Sequence, residues 1–356
     1  MFLEEILGNH FQSVAVIGMG KNTGKTFTLN QLLMEGRQLG IRAAVTAIGL
    51  DGEERDSLFQ HDKPKIMVSP GQIVANAKSL VLESRLDYEI LGTTGIMTPL
   101  GEIVLARALS GGKTMLAGPG TRHELASVKE QLEQMGIDLL FVDGAVDRRS
   151  LSAPMVTDTT VLAVGAEVAW NRVVLMEKLM LHYEILTLPA LDNPSIAQDL
   201  RNVSEDAKVA LLSAEGAQQF ITHQDFFQNT DVLSEYINQD TEMIYVRGML
   251  TDDVLAKLLD HALQAASLTI LATDPTNIFL SKRSLARLEC HHASLRVLDS
   301  IHLSAVTCNP FNSSHGQVDP LQLLADVGQA VYPIPCFDLN LGLRYVMKKE
   351  DADAIS

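Results

Sequence analysis

The stretch VAVIGMGKNTGKT (14–26) sets small and β-branched apolar residues side by side, breaks into glycines, then opens into a helix-patterned run. A strand with one wet face alternates polar and apolar residues. A strand that does not alternate is buried on both faces, as in a parallel sheet covered by helices. The same texture recurs along the first half, with strand candidates at Ser13–Ile17, Ala43–Ile48, Tyr88–Leu91, Thr114–Ala117, Leu139–Val142 and Thr160–Val164. Helical patterns fall at Thr26–Leu39, Gly101–Leu109, His123–Met135 and Trp170–Leu181. Strands alternating with helices predict an α/β fold with a mainly parallel sheet, whose ligands bind at the carboxyl ends of the strands.

After about Pro189 the texture changes. The polar segment LDNPSIAQDLRNVSED (191–206) reads as a boundary, and β/α alternation resumes at Val209–Ser213, Met243–Val246, Leu268–Ala272, Leu303–Thr307 and Val331–Cys336. At 356 residues two domains are expected. The boundary divides the chain into a first α/β domain over 1–192 and a second α/β domain over 205–350. The other arrangement has the last two strands closing the first sheet around an inserted segment.

The net charge is −16 with no compensating basic block, which excludes a phosphate-backbone binder of nucleic acid. Three widely spaced cysteines (Cys290, Cys308, Cys336) in no C-x-x-C pair suit a reducing compartment. The first ten residues lack the basic and apolar regions of a signal peptide, and no apolar run reaches transmembrane length. A soluble, cytoplasmic chain with no membrane partner is expected.

Against G-x-x-x-x-G-K-[ST], the first glycine should stand where Met19 does. The context still fits a phosphate-binding loop, since an apolar strand precedes it and an amphipathic helix follows. Gly24 lets backbone approach a phosphate, while the amides of Gly24, Lys25 and Thr26 open a helix whose dipole favours an anion. Lys25 would reach the β- and γ-phosphates and Thr26 would ligate Mg²⁺. Gly18 or Gly20 would supply unusual backbone angles if the loop starts one residue out of step, so an irregular path is expected between them. Lys21, Asn22, Thr23 and Phe27 complete the candidate nucleotide contacts. Lys21 reads equally well as a second phosphate lysine or a solvated one.

IDLLFVDGAVDR (137–148) reads as a buried strand ending in Asp143, a carboxylate placed to hold Mg²⁺. VTAIGLDGEE (45–54) ends its strand in Asp51, which either helps the metal and the attacking water or simply turns the chain. GTTGIMT (92–98) and AGPGTRHE (117–124) read as glycine-rich strand exits on the same edge, where Thr93, Thr94 and Arg122 either line the site or belong to loops whose glycines serve no function. In VTCNPFNSSHG (306–316), Asn309 either reads a nucleotide base or stabilises the turn before Pro310. No NKxD stretch occurs, which favours ATP over GTP. Cys290-His291-His292 points its side chains in different directions and serves one metal poorly.

GMGKNTGKT, GLDGE, GTTGIMTPLGEI, AGPG and FVDGAVDR together resemble the reactivase subunits that accompany lysine 5,6-aminomutase and ornithine aminomutase. The fold implied is a P-loop NTPase domain like that of dethiobiotin synthetase. The resemblance spans the first half and reaches the second through VTCNPF and PIPCFDL. It implies an Mg²⁺- and ATP-dependent ATPase that works with a MutS-like partner subunit. Together they would exchange damaged cobalamin on an adenosylcobalamin- and pyridoxal-phosphate-dependent aminomutase. Only Gly18, Gly20, Gly24, Lys25, Thr26 and Asp143 carry roles across. The signature lysine of ParA- and MinD-like loops sits one residue further from the invariant lysine than Lys21 does, and the D-x-H-x-x-G cobalamin pattern is missing. Two other classes stay open, a small-molecule synthetase of dethiobiotin synthetase type and a non-catalytic nucleotide-binding scaffold. An assembly of like chains also stays open.

Overall fold

The computed structural model describes residues 1–8, 10–49, 66–144, 153–213, 218–228, 232–262 and 268–346. Packing divides the chain into two units, one formed by Met1–Met180 together with the chain from His302 onward, the other by Leu181–Ile301. Among the described residues no helix is long and apolar enough to cross a membrane.

The first unit is built on a ten-stranded sheet. Its strands in chain order are β1 (Ser13–Gly18), β2 (Ala43–Ala47), β3 (Ile73–Ala77), β4 (Tyr88–Thr98), β5 (Gly101–Ala108), β6 (Leu139–Asp143), β7 (Thr159–Gly165), β8 (Leu303–Asn309), β9 (Cys336–Asp338) and β10 (Leu343–Arg344). Across the sheet the order is β10-β9-β8-β7-β1-β6-β2-β3-β5-β4. From β9 to β3 every pairing is parallel, and only β10, β5 and β4 run against their neighbours. The non-alternating reading of residues 13–18 holds, because all six residues of β1 are buried. Val14 and Val16 pack beneath Leu29, Leu32 and Leu33 of the Lys25–Gln38 helix. Ala15 faces the other layer, where Leu125, Val128 and Leu132 of the Arg122–Gln134 helix lie.

The second unit carries a five-stranded sheet in the order Gln218–Thr222, Ala207–Ser213, Thr241–Val246, Leu268–Ala272, Ala293–Val297. Its last three strands are parallel, and Ala207–Ser213 is antiparallel to both neighbours. Val209 and Leu211 face helices Asp252–His261 and Lys282–Cys290, whereas Ala210 and Leu212 face helix Pro194–Arg201.

Three expectations are corrected. Residues 303–309 and 336–338 belong to the first sheet, so the division into 1–192 and 205–350 gives way to an inserted unit, with the boundary inside the Arg172–Leu186 helix. Gly101–Ala108 is a strand, not a helix. Its Leu-Ala-Arg-Ala run is overridden by pairing on both sides, and Thr98-Pro99-Leu100-Gly101 is the hairpin turn that joins it to β4. GTTGIMT therefore lies within β4, at the far edge of the sheet. At the other end, Pro320–Ala330 is helical and the strand expected at 331–336 begins only at Cys336. Smaller shifts move the 114–117 strand to Gly112–Thr114 and the start of the helix expected at Trp170 to Arg172.

Phe141 is fully buried in β6, and its ring lies 3.8 Å from the point where a Cβ on Gly36 would sit. Phe141→Ala should lower unfolding stability by about 3–5 kcal/mol in urea titrations, whereas the same change at exposed Met97 should be close to neutral.

Candidate functional site

β1 lies between β6 and β7, and the chain leaves it toward β2 on one side and returns to β7 on the other. Such a reversal opens a crevice at the carboxyl ends of the strands. The loop after β1 sits at that point.

The strand ladder runs further into this loop than the sequence suggests. Met19 N–H donates to the Ala163 carbonyl at 3.2 Å, extending the β1–β7 pairing by one residue. The irregular backbone expected between Gly18 and Gly20 lies later, since Asn22 (φ 57°) and Gly24 (φ 100°) are the residues in the left-handed region. Gly24 occupies the N-cap of the Lys25–Gln38 helix without a side-chain cap, so the helix provides no acceptor for its own first amides. Gly18 is required for a different reason. A Cβ there would stand 2.3 Å from Thr23 Oγ1 and 2.8 Å from Lys25 Cγ. The Lys25 stem therefore folds back across the end of β1, and the residue is buried. Gly20 is not crowded, its nearest neighbour being Val168 at 3.7 Å from an added Cβ. Lys21 and Phe27 are exposed, and Thr26 is half-buried.

Asp143 ends β6 opposite Val16 of β1 and Ala47 of β2. The residue keeps some surface, but its Oδ1 is sealed from solvent and has no hydrogen-bond partner among the described residues. Desolvation raises its carboxyl pKa to about 6, and the Lys25 ammonium pulls the other way. A sealed acceptor beside a lysine, at the tip of a strand next to the loop, is what a bound cation would complete. In that sense the Asp143 carboxylate fits a divalent cation such as Mg²⁺.

The other candidates separate. Asn309 ends β8 and is brought to the loop, but its side-chain amide is already engaged, donating to the Asn22 carbonyl at 2.9 Å and accepting from Phe311 N–H at 3.2 Å. Beside it a cavity of about 250 Å³ is lined by Gly24, Phe27, Thr28, Asn309, Phe311 and Asn340, among others. The AGPG segment reaches the carboxyl edge, where Gly49 N–H donates to the Pro119 carbonyl. Arg122 opens the helix that follows. Thr93 and Thr94 do not reach this edge, for they pair within the β4–β5 hairpin. Asp51 lies outside the described residues. Cys290 ends its helix exposed, and among the described residues no three His, Cys, Asp or Glu side chains gather as a metal-holding group.

Sequence reading missed Gly165, Glu167 and Thr307. Thr307 Oγ1 lies 2.9 Å from Thr28 Oγ1, which ties the helix to β8 in the buried layer. All three are brought in by strand order, which motif spacing does not encode.

The raised pKa of Asp143 fixes the sign of a pH effect. The folded chain holds this proton more tightly than the unfolded one, so the stability it contributes is complete below about pH 4 and is lost as pH rises to about 6. At about 1.4 kcal/mol per unit the loss is of the order of 3 kcal/mol. Asp143→Asn should therefore stabilise the ligand-free chain at pH 8 and show little gain near pH 4.5, as measured by urea unfolding. A gain equal at both pH values would contradict the assignment. Searches against family models, curated proteins and solved structures find no match to this chain.

Proposed function

We propose that the chain is an Mg-ATP-binding ATPase of the P-loop type. One observation carries the reading: a buried Lys25 folded over Gly18, beside the Oδ1 of Asp143, which is sealed and has no hydrogen-bond partner among the described residues, at the open amide end of a helix that leaves the central strand. Those groups meet what a nucleoside triphosphate needs. Helix amides and a lysine offset the charge of the phosphates, and a strand-tip carboxylate shares a divalent cation with them.

In this reading the amides of Lys25, Thr26 and Phe27 face the phosphate oxygens. Lys25, held by the packing of its stem, keeps its ammonium in a place where developing phosphoryl charge is neutralised without reorganisation. The Thr26 hydroxyl and Asp143 would hold Mg²⁺, which when bound supplies charge neutralisation between the terminal phosphates. The cavity beside Gly24, with Phe27 and Phe311 as apolar walls and Asn340 also lining it, suits the nucleoside. Asp51, next to the same strand edge in sequence, remains the candidate for placing water.

The finer proposal, that hydrolysis remodels an adenosylcobalamin-dependent aminomutase together with a MutS-like subunit, rests on the resemblance of the loop and strand-end motifs. Purified chain should bind ATP only with Mg²⁺ present, and an aminomutase of this class should raise its turnover. Lys25→Ala should reduce turnover by about a hundredfold or more. Wild-type chain that neither binds nor hydrolyses Mg-ATP, with or without the aminomutase, would sink the reading. Tight binding with no turnover under either condition would leave a nucleotide-binding scaffold.

A further inference from the structure

Asn22 holds a left-handed backbone (φ 57°), a conformation that Asn reaches more readily than most residues but that still needs support. That support comes from two sides. The Asn309 amide donates to the Asn22 carbonyl at 2.9 Å, and the Glu167 carboxylate faces the Asn22 side chain from the other side. Both holders are themselves fixed. Asn309 Oδ1 accepts from Phe311 N–H, and the Asn309 carbonyl accepts from Ala166 N–H at 2.9 Å. Glu167 accepts from Ser313 N–H at 2.7 Å and from Ser313 Oγ–H at 2.6 Å. These contacts, with those from Asn22 and His315, hold the Glu167 carboxyl below its ordinary range.

Steric contact points the same way. A Cβ on Gly24 would lie 3.1 Å from Asn309 Cβ, and a Cβ on Gly165 would lie 2.7 Å from Thr23 Cα. The ends of β7 and β8 thus press on the loop at Asn22, Thr23 and Gly24 together. An amide that donates to one backbone carbonyl and accepts from one backbone N–H has its orientation fixed. The N–H and lone pair that remain point where the loop contacts set them, not where a base would choose.

We infer that Asn309 is a positioning residue of the phosphate loop, with Glu167 as its counterpart, and that the pair sets the curvature through which the loop amides meet a phosphate chain. This rests on the nucleotide-binding reading above, and deepens it by separating phosphate positioning from base recognition. A residue that shapes the loop affects every ligand carrying the phosphate chain equally, whereas a residue that reads the base affects only ligands that have one.

The test compares Mg-ATP, Mg-GTP and magnesium pyrophosphate as probes on the full chain by titration calorimetry. Asn309→Asp keeps the shape of the side chain but cannot donate to the Asn22 carbonyl. It should weaken ATP and pyrophosphate by the same factor, about three- to tenfold, and GTP by that factor wherever wild-type chain binds it. Glu167→Gln should shift the same probes in parallel by a smaller factor. Without ligand, amide hydrogen exchange across residues 19–24 should speed up in Asn309→Asp, with the thermal unfolding midpoint unchanged within a few degrees. Loss of ATP affinity with pyrophosphate binding intact would make Asn309 a base reader and overturn the inference. So would unchanged affinity for every probe in both variants. Wild-type chain that binds none of the three would remove the nucleotide reading itself, and the inference with it.

Discussion

Above Gly18 the Lys25 stem and the Thr23 hydroxyl fill the volume that a Cβ would need, and that crowding determines the rest of the carboxyl edge. A lysine laid across a strand end keeps its methylenes on apolar surface while its head group reaches beyond them. Once the stem is packed, the ammonium has few places to go. It comes to lie within electrostatic reach of Asp143 because β6 is the neighbour of β1. The juxtaposition exists because the order of the strands reverses at β1, which places β6 and β7 on either side of the loop.

Burying a lysine beside a carboxylate with one sealed oxygen is not a device for stability. A pair of this kind costs desolvation that its mutual attraction only partly offsets. Desolvation by burial raises the Asp143 carboxyl pKa against the pull of Lys25, whereas in the surface ion pair Arg42–Asp138 the hydrogen bond from Arg42 leaves the carboxyl lowered. Strain and unsatisfied charge gather where the fold has something other than stability to serve. The rest of the first unit is conventionally packed, with apolar layers on both faces of the sheet, and can sustain that local cost.

Much of this was legible in the sequence where burial and chain direction are local properties. Unbroken apolar runs at 13–17, 139–142 and 160–164 gave parallel strands, and the run after Lys25 gave the helix. The Gly101–Leu109 segment failed because leucine, alanine and arginine favour a helix in isolation, while the strand is imposed by neighbours on both sides. The strand–helix turn at the loop is a local property, but its irregular point at Asn22 is not. Sequence marks glycines, not which residue a distant asparagine will press into the left-handed region. Asn22 and Asn309 are 287 residues apart and nothing between them announces the contact.

That separation raises the question of how a site can depend on a strand that returns only after the 181–301 insertion. Closing a flexible loop of such length costs only about 0.6 kcal/mol more for each doubling. The insertion is better than flexible, however, since it has a core of its own. Its incoming and outgoing segments are also held side by side. Leu191 N–H donates to the Val297 carbonyl at 2.8 Å, and Val297 N–H donates to the Pro189 carbonyl at 3.1 Å. Bringing residues 189–191 against 297 turns a long excursion into a short connection, after which Leu303–Asn309 needs only to pair with β7. The first unit thereby gains its eighth strand at little entropic cost, and with it Thr307 against the helix and Asn309 against the loop. A chain ending before His302 would keep the glycines, Lys25, Asp143 and Glu167 but would lose Asn309 and the hold of β8 on the loop.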